Sequence, residues 1–192
     1  MGALRSFFMG ADVLRPFFTF GSDFLKVRAR YMAHAAIIAA LYAVLTHAQN
    51  IILPNSASMA IQMRGAEAMC VLAFFTPAAI PGLTAGCMLF NLTFAGALPT
   101  DWLVGSLATF TAAWAMWKLR KVRFFGLPIL GLLMPSLTNA VFVGWELTVY
   151  IGGGFWLNGL YVAIGEGIVL MTLGIAIYRA IRVRRLDARL FG

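Results

Sequence analysis

The sequence predicts an all-α membrane protein, a bundle of six transmembrane helices with both termini in the cytoplasm. Of its 192 residues, 61% are hydrophobic and only 11% are charged, whereas about 25% of the residues in a soluble domain carry a charge. A helix needs about 20 apolar residues to cross a bilayer. Six crossings and their loops therefore use nearly the whole chain and leave no room for a separate soluble catalytic domain.

The N-terminal region divides into a leading segment and the first helix. Residues 1–25 mix aromatic pairs with charges and lack the apolar core of a signal peptide. They predict a segment that is either amphipathic and bound to the membrane surface, or disordered. Residues 26–192 then form the six-helix domain. A basic collar at residues 26–30 precedes the first predicted span, residues 31–48, and a polar loop follows at residues 50–58.

The next apolar stretch predicts two short spans. It extends over residues 67–98 and is almost wholly apolar apart from Asn91. Because proline breaks helices, we expect the chain to turn near Thr76-Pro77 and at residues 80–82. These turns separate the second span from the third.

The last three predicted spans alternate with polar turns. Asp101 can cap the fourth helix, which we expect at residues 102–117. The fifth follows at residues 127–148 and the sixth at residues 156–178, with a flexible glycine loop at residues 152–154 between them. These apolar runs give a count of six that the charges can test.

The positions of the basic residues support this count. Five precede the first predicted span, four lie between the fourth and fifth, and five follow the sixth. With six crossings, these 14 of the 15 basic residues face the cytoplasm, as the positive-inside rule requires, and only Arg64 falls outside. The formal net charge of +8 therefore reflects membrane topology rather than nucleic-acid binding.

Ionisable residues within the predicted spans are the candidate functional residues, because each costs about 2.5–3.5 kcal/mol at the centre of a membrane helix. Arg64 and Glu67 open the second span at its outer end and share one helical face. Asp101 and Glu146 lie at the outer ends of the fourth and fifth spans. Glu166 lies near mid-membrane in the sixth. Three amides are expected to join this outward-opening polar cluster: Asn91, Asn139 and Asn158.

Each ionisable residue also has a structural explanation. Arg64 and Glu67 can pair at the interface. Asp101 can serve only as a helix cap, and Glu146 can be solvated at the membrane surface. Glu166 is the hardest to explain in this way, because no residue near it in the sequence neutralises it.

The sequence predicts neither a metal site nor a cofactor. Cys70 and Cys87 lie in apolar runs without the spacing of metal ligands, and His34 and His47 have no partner at such a spacing. The sequence has no HExxH or GxSxG motif and no phosphate-binding glycine loop. A binding protein or transporter is therefore favoured over an enzyme.

Small residues recur at helical spacing in two spans. Ala35, Ala39 and Ala43 are four residues apart in the first, and Gly82 and Gly86 are four apart in the third. Such spacing lets two helix backbones approach closely. Either these residues pack within the bundle, or they form a surface on which a partner helix docks.

Several longer motifs resemble a known family. They are QMRGAEA at residues 62–68, FFTPAAIPG at residues 74–82, GSLAT at residues 105–109, GWEL at residues 144–147 and AIGE at residues 163–166. Together these segments resemble the QueT family of queuosine-precursor transporters. The resemblance runs over about residues 28–179 and does not include the first 25.

The resemblance implies a division of labour between subunits. QueT proteins are substrate-binding S components of energy-coupling-factor (ECF) transporters, which have six membrane helices. It implies a transmembrane T component and two cytoplasmic ATPases as partners, and this chain has no Walker motif of its own. In S components an alanine-rich first helix typically meets the T component, which favours the docking explanation for Ala35, Ala39 and Ala43.

The resemblance also implies the ligand, queuine or its aminomethyl deazaguanine precursor. Its guanine-like edge offers N–H donors to a carboxylate, and its cationic amine suits a second one. Its carbonyl oxygen needs a donor such as Arg64, Gln62 or an asparagine amide, and Trp145 or Trp156 can stack on the ring. The candidate substrate-binding residues are Gln62, Arg64, Glu67, Asn91, Asp101, Asn139, Trp145, Glu146, Trp156, Asn158 and Glu166.

Two alternatives stay open at this point. One is an S component of the same architecture that binds another small vitamin-like molecule. The other is a membrane enzyme or scaffold that transports nothing. Tight binding of queuine by the purified protein separates these possibilities.

Overall fold

The computed structural model describes residues 3–54 and 64–191, and residues 3–27 as backbone only. Most of the described residues are helical, and these residues form no strand apart from an isolated β-bridge between Phe124 and Leu127. By its internal contacts the chain forms two units, residues 1–34 and residues 35–192. The all-α fold class predicted from the sequence is confirmed for this part of the chain.

Helix α1 extends over Ala3–Ile52 and therefore includes most of the leading segment. A membrane-surface position for residues 1–25 stays a prediction, as does the domain boundary after them. Within the second unit, α1 buries Ile38, Tyr42 and Thr46, a spacing of four that places them on one face. The opposite face exposes apolar side chains, as expected of a helix that contacts lipid: Ile37, Leu41, Val44 and Leu45.

A 3₁₀ helix, Gly65–Phe74, occupies the centre of the second unit. Eight of its ten residues are buried, and it contacts α2, α3, α6 and α7, which are defined below. In a 3₁₀ helix, residues three apart lie directly above one another, and runs of this length are uncommon. Side chains at positions 67 and 70 consequently share one edge.

The predicted turn between the second and third spans is present at Thr76 and Pro77 but does not include Pro81. The chain leaves the 3₁₀ helix at Phe75 and begins α2, Ala79–Thr93, after Thr76 and Pro77. Pro81 is the third residue of α2 and does not turn the chain. A proline is tolerated there because the N–H groups of a first turn have no helical partner.

The remaining helices complete the bundle. They are α3, Asp101–Leu119; α4, Ile129–Leu132; α5, Met134–Tyr150; α6, Phe155–Val169; α7, Ile175–Val183; and α8, Leu186–Phe191, with a π-helical turn, Leu170–Gly174, joining α6 to α7. Helix α3 packs between α2 and α5, and α5 packs most extensively against α6. The α5–α6 approach is close because a Cβ atom on Gly144 would lie 2.8 Å from Gly159 Cα.

Three helical stretches are long and apolar enough to cross a membrane: Arg28–Ile52, Ile129–Tyr150 and Phe155–Val183. Helical segments also occupy the other three predicted positions, but the 3₁₀ helix has ten residues and α2 has fifteen. At about 2.0 and 1.5 Å per residue, each spans roughly 20 Å, less than the hydrocarbon core of about 30 Å. The structure thus supports a membrane protein, and the count of six stays a prediction.

Candidate functional site

Glu67 lies in the first turn of the central 3₁₀ helix and is completely buried. The Tyr42 hydroxyl of α1 donates a hydrogen bond of 2.6 Å to its Oε1. One 3₁₀ turn onward, the Cys70 thiol donates to its Oε2 at 3.1 Å. Both oxygens of this carboxylate are therefore satisfied by the protein itself.

Arg64 precedes the 3₁₀ helix and is also buried. Its guanidinium interacts electrostatically with the Glu67 and Glu166 carboxylates. The arginine therefore lies among the buried carboxylates and not at an exposed interface. A buried charge needs such compensation, because desolvation without it costs several kcal/mol.

Glu166, on α6, meets Asn139 of α5. The Asn139 amide nitrogen lies 2.9 and 2.7 Å from the two oxygens of the Glu166 carboxylate, and both side chains are buried. Arg64 thus supplies the positive charge that the local sequence lacks, and α5 supplies hydrogen bonds. Asn139 Oδ1 is itself buried, and no described residue donates to it.

Glu146, near the C-terminal end of α5, is anchored at one oxygen only. Thr100 Oγ1 donates to Glu146 Oε1 at 2.6 Å, while Oε2 is buried with no donor among the described residues. Glu146 also interacts electrostatically with Asp101 and Arg64. It has no exposed surface, which argues against the solvated alternative.

We call five of these side chains the acid cluster: Arg64, Glu67, Asn139, Glu146 and Glu166. It combines one guanidinium with three fully buried carboxylates, contributed by the 3₁₀ helix, α5 and α6. It also holds two buried acceptor atoms without a donor from the described residues. Such an arrangement is suited to a ligand that is rich in hydrogen-bond donors and carries positive charge.

Asp101, Asn91 and Asn158 make contacts that organise backbone. Asp101 Oδ2 accepts a hydrogen bond of 2.6 Å from the Leu98 N–H, and the Asn91 amide donates to the Asp101 carbonyl at 2.9 Å. The Asn158 amide donates to Gly152 O at 3.0 Å. Asp101 therefore shapes the turn before α3 and lies beside Glu146, whereas Asn158 holds the loop between α5 and α6.

The two candidate tryptophans lie on the outside of the bundle. Trp145 is 54% exposed and Trp156 is 85% exposed. Successive residues of an α-helix are about 100° apart, so Trp145 points away from the interior that Glu146 enters. Trp145 contributes to an apolar surface groove of about 450 Å³ between α3 and α5. Gln62 lies outside the described residues.

Two of the three alanines of the first span, Ala35 and Ala39, lie close to α2. A Cβ atom on Gly82 would lie 2.8 Å from Ala35 O, and one on Gly86 would lie 2.8 Å from Ala39 O. Ala39 is buried, while Ala35 and Ala43 are partly exposed. This placement supports the packing explanation, and docking through the three alanines stays a prediction.

Three polar partners in the site were not predicted from the sequence: Tyr42, Cys70 and Thr100. Tyr42 could have been found from its register, because it lies three residues after Ala39 on the alanine face of α1. Cys70 lies three residues after Glu67, but that spacing is informative only for a 3₁₀ helix. Thr100 is brought to Glu146 by tertiary packing across 46 positions.

No group of three or more His, Cys, Asp or Glu side chains within the described residues is arranged to hold a metal ion. The acid cluster itself consists of carboxylates, an amide and one guanidinium. Groups of these types can bind a ligand by hydrogen bonding and charge.

A family model described as QueT transporter matches residues 32–183, a range that includes the whole acid cluster and Tyr42. The chain belongs to the QueT transporter family. Because this is a family of transporters, the chain is a transporter component and not an enzyme. Membership in the QueT family, together with the long apolar helices, indicates a membrane protein. Neither a curated protein nor a solved structure gives a match.

Proposed function

We propose that this QueT family member is the S component of an ECF-type importer in the bacterial cell membrane. It captures queuine or its aminomethyl deazaguanine precursor from outside the cell and delivers it to the cytoplasm. Six membrane crossings place both termini in the cytoplasm, as the 14 basic residues on one side favour. Membership in the QueT family supports a transporter, and the acid cluster supports this class of ligand.

The observation that carries the proposal is the pair of unsatisfied acceptors, Asn139 Oδ1 and Glu146 Oε2. Leaving a buried acceptor without a donor costs about 1–3 kcal/mol. Asn139 and Glu146 are about 10 Å apart along α5. A deazaguanine carries donors at two places, the N–H groups of its guanine-like edge and its cationic amine, so it can offer one to each acceptor. Ligand binding would thus remove a cost that the unliganded protein bears.

Charge supports the same ligand. The acid cluster has three carboxylates and one guanidinium, an excess of acidic groups that the cationic amine of the ligand would offset. The ligand carbonyl would accept a hydrogen bond from a donor such as Arg64. A neutral or anionic vitamin-like molecule would leave the excess of carboxylates uncompensated.

Delivery requires partners that supply energy. We propose a transmembrane T component and two ATPases, since the chain has no nucleotide-binding motif of its own. Helix α1 would dock on the T component through its small residues. Ala35 and Ala43 are accessible in part, and Ala36 and Ala40 beside them are exposed.

Calorimetric titration of the purified protein tests the ligand. We expect tight binding of queuine and of its aminomethyl precursor, and weaker binding of guanine, which lacks the amine. If no deazaguanine binds while another vitamin-like molecule does, the ligand assignment is wrong. If a deazaguanine binds but neither Glu67→Gln nor Glu146→Gln alters its affinity, the site assignment is wrong. If nothing binds, the ligand class is wrong.

Isolation from native membranes tests the partners. We expect an ATPase-bearing complex to copurify with the chain and to be lost in Ala40→Trp, which places a bulky side chain on the exposed face of α1. The matched control is Ile164→Trp, on the exposed face of α6. Equal recovery of the complex with both variants would contradict docking through α1.

A further inference from the structure

A second polar site lies at the other end of the bundle. Helix α3 begins beside the acid cluster at Asp101 and ends at Leu119, and its 19 residues span about 28 Å at 1.5 Å per residue. Beyond its C-terminus are two adjoining surface pockets of about 150 and 270 Å³. They share Arg123, Tyr178 and Arg182, and we call them together the basic pocket.

The basic pocket has an excess of positive charge. Arg120 and Arg179 join the two shared arginines, and Asp187 supplies an acidic side chain. Asp187 Oδ2 lies 3.4 Å from a nitrogen of Arg182. Within the described part of the chain, no ion pair connects Arg123 or Arg179 to a carboxylate.

The rim of the basic pocket is strongly apolar. Phe125 is fully exposed and Val183 is 82% exposed, and both line the larger pocket together with Leu127. Phe125 has a φ of 51° and Gly126 a φ of 79°, in the tight turn that the Phe124–Leu127 bridge closes. The left-handed conformation is unusual for a bulky residue, and here it holds an aromatic ring outside the protein.

We propose that the basic pocket binds the phosphate headgroup of an anionic phospholipid, with an acyl chain against Phe125, Leu127 and Val183. Arginine suits phosphate because its guanidinium makes paired, charge-assisted hydrogen bonds. Basic pockets between membrane helices on the cytoplasmic side favour acidic lipids. This assignment rests on the proposed function, because the proposed six-span topology puts this end of the bundle in the cytoplasmic leaflet.

The apolar rim distinguishes a lipid from other anions. Topology alone explains basic residues at a cytoplasmic end, but it does not require them to line a concave pocket with exposed apolar side chains beside it. A soluble phosphate would gain nothing from Phe125 or Val183. A phospholipid places its headgroup against the arginines and its chain against the rim, which matches the two parts of the pocket.

The bound lipid would connect separate elements of the fold. Arg123 belongs to the turn after α3, and Arg182 belongs to α7. Arg182 also lies 5.9 Å from the centre of the Phe75 ring, at the end of the central 3₁₀ helix. A phosphate held between these arginines would fasten the α3–α4 turn to α7.

Native mass spectrometry of the full chain in neutral maltoside micelles, titrated with phosphatidylglycerol, tests the proposal. We expect Arg123→Gln/Arg182→Gln to raise the dissociation constant of the first bound lipid about tenfold, because charge-assisted hydrogen bonds are lost. The control Arg184→Gln/Arg185→Gln removes the same charge from exposed residues of the C-terminal region that do not line the pocket. It should change the dissociation constant of the first bound lipid by less than about twofold. Equal weakening by the two double variants would overturn the proposal.

A variant that is expected to strengthen lipid binding tests the pocket in a way that misfolding cannot imitate. Asp187→Asn removes the carboxylate that competes for Arg182 and should tighten phosphatidylglycerol binding several-fold; unchanged or weaker binding would contradict the model. Phosphatidylcholine should not occupy the site at matched concentration, and its equal binding would overturn a charge-selective pocket. If inorganic phosphate displaces the lipid with an affinity equal to the lipid's own, the occupant is a soluble anion and the lipid assignment is wrong.

Discussion

Glu67 and Glu146 are both completely buried, but their carboxylates accept different numbers of hydrogen bonds. Tyr42 and Cys70 donate to both oxygens of Glu67, whereas only one oxygen of Glu146 has a donor. Satisfied buried groups contribute to stability, and unsatisfied ones are costly. Glu67 is therefore expected to matter mainly for folding, and Glu146 mainly for ligand binding.

Replacement of Glu146 by glutamine should weaken deazaguanine binding with little loss of stability. Glutamine is uncharged and presents an N–H₂ group in place of one carboxylate oxygen. The lost hydrogen bond to a charged group should weaken the binding free energy by about 1.5–3 kcal/mol. Thr100 can still donate to the remaining oxygen. Calorimetry and thermal unfolding of Glu146→Gln check this; a large drop in melting temperature with unchanged affinity would contradict it.

Tyr42→Phe is expected to destabilise the protein by about 1–3 kcal/mol, because it leaves Glu67 Oε1 buried without its donor. The matched control is Tyr150→Phe, at the exposed C-terminal end of α5, which should have little effect. Chemical denaturation in detergent measures both variants. Equal stabilities would mean that the Tyr42–Glu67 hydrogen bond contributes nothing to folding.

For individual residues, the sequence identified the ionisable side chains of the acid cluster but not the residues that surround them. Arg64, Glu67, Glu146 and Glu166 stand out because charge is rare in the spans, and the structure brings them together. Thr100 could not be predicted, because its contact with Glu146 depends on how α5 packs beside the turn. Trp145 was a candidate because its ring can stack on the ligand, but it faces outward while Glu146 beside it faces inward, since adjacent helical residues point in different directions.

The contact between α1 and α2 depends on the absence of side chains at two positions of α2. A Cβ atom on Gly86 would lie 2.8 Å from both Ala39 O and Tyr42 Cβ, so the two helices would have to separate. Tyr42 is the residue that reaches Glu67. The geometry of the acid cluster therefore depends on close helix packing some distance from the carboxylates.

Gly86→Ala should destabilise the protein by about 1–3 kcal/mol through overpacking and should also weaken ligand binding by moving Tyr42. Gly154→Ala is the matched control, because a Cβ atom there meets no atom within 4 Å. Denaturation and ligand titration of the two variants provide the measurement. A Gly86→Ala protein as stable as the control would show that α1 and α2 are not tightly packed.

Elements with continuous apolar character were the most predictable. The long helices α1, α5 and α6 lie where the apolar runs place them. The second span was predicted as an α-helix, but it is the 3₁₀ helix Gly65–Phe74, whose winding depends on the neighbours that enclose it. The turn expected at Pro81 is absent because α2 begins at Ala79, and a proline in the first turn of a helix does not break it.

Within the described part of residues 35–192, the buried acids and the basic pocket lie near opposite ends of α3. The acid cluster lies beside the beginning of α3, and the basic pocket lies beyond its end. An asymmetric charge distribution of this kind orients a protein in a membrane. The sequence contained this signal in the positions of its basic residues, although it could not show that some of them line a pocket.

The six-span topology predicts opposite accessibility for two engineered cysteines. In cells treated with a membrane-impermeant maleimide, Gly154→Cys should react, and Arg184→Cys should react only after permeabilisation. The native protein is the control, because Cys70 and Cys87 are buried and should remain unlabelled. Labelling of both positions from the same side would contradict an odd number of crossings between them.

The complete burial of the three carboxylates has a kinetic consequence. A ligand can reach Glu67, Glu146 or Glu166 only after some covering element moves, so the same opening step limits both entry and exit. Association should then be much slower than diffusion and nearly the same for queuine and for guanine. Differences in affinity between them would appear in the dissociation rate, as is usual among related complexes, and a captured molecule would remain bound long enough for a partner to arrive.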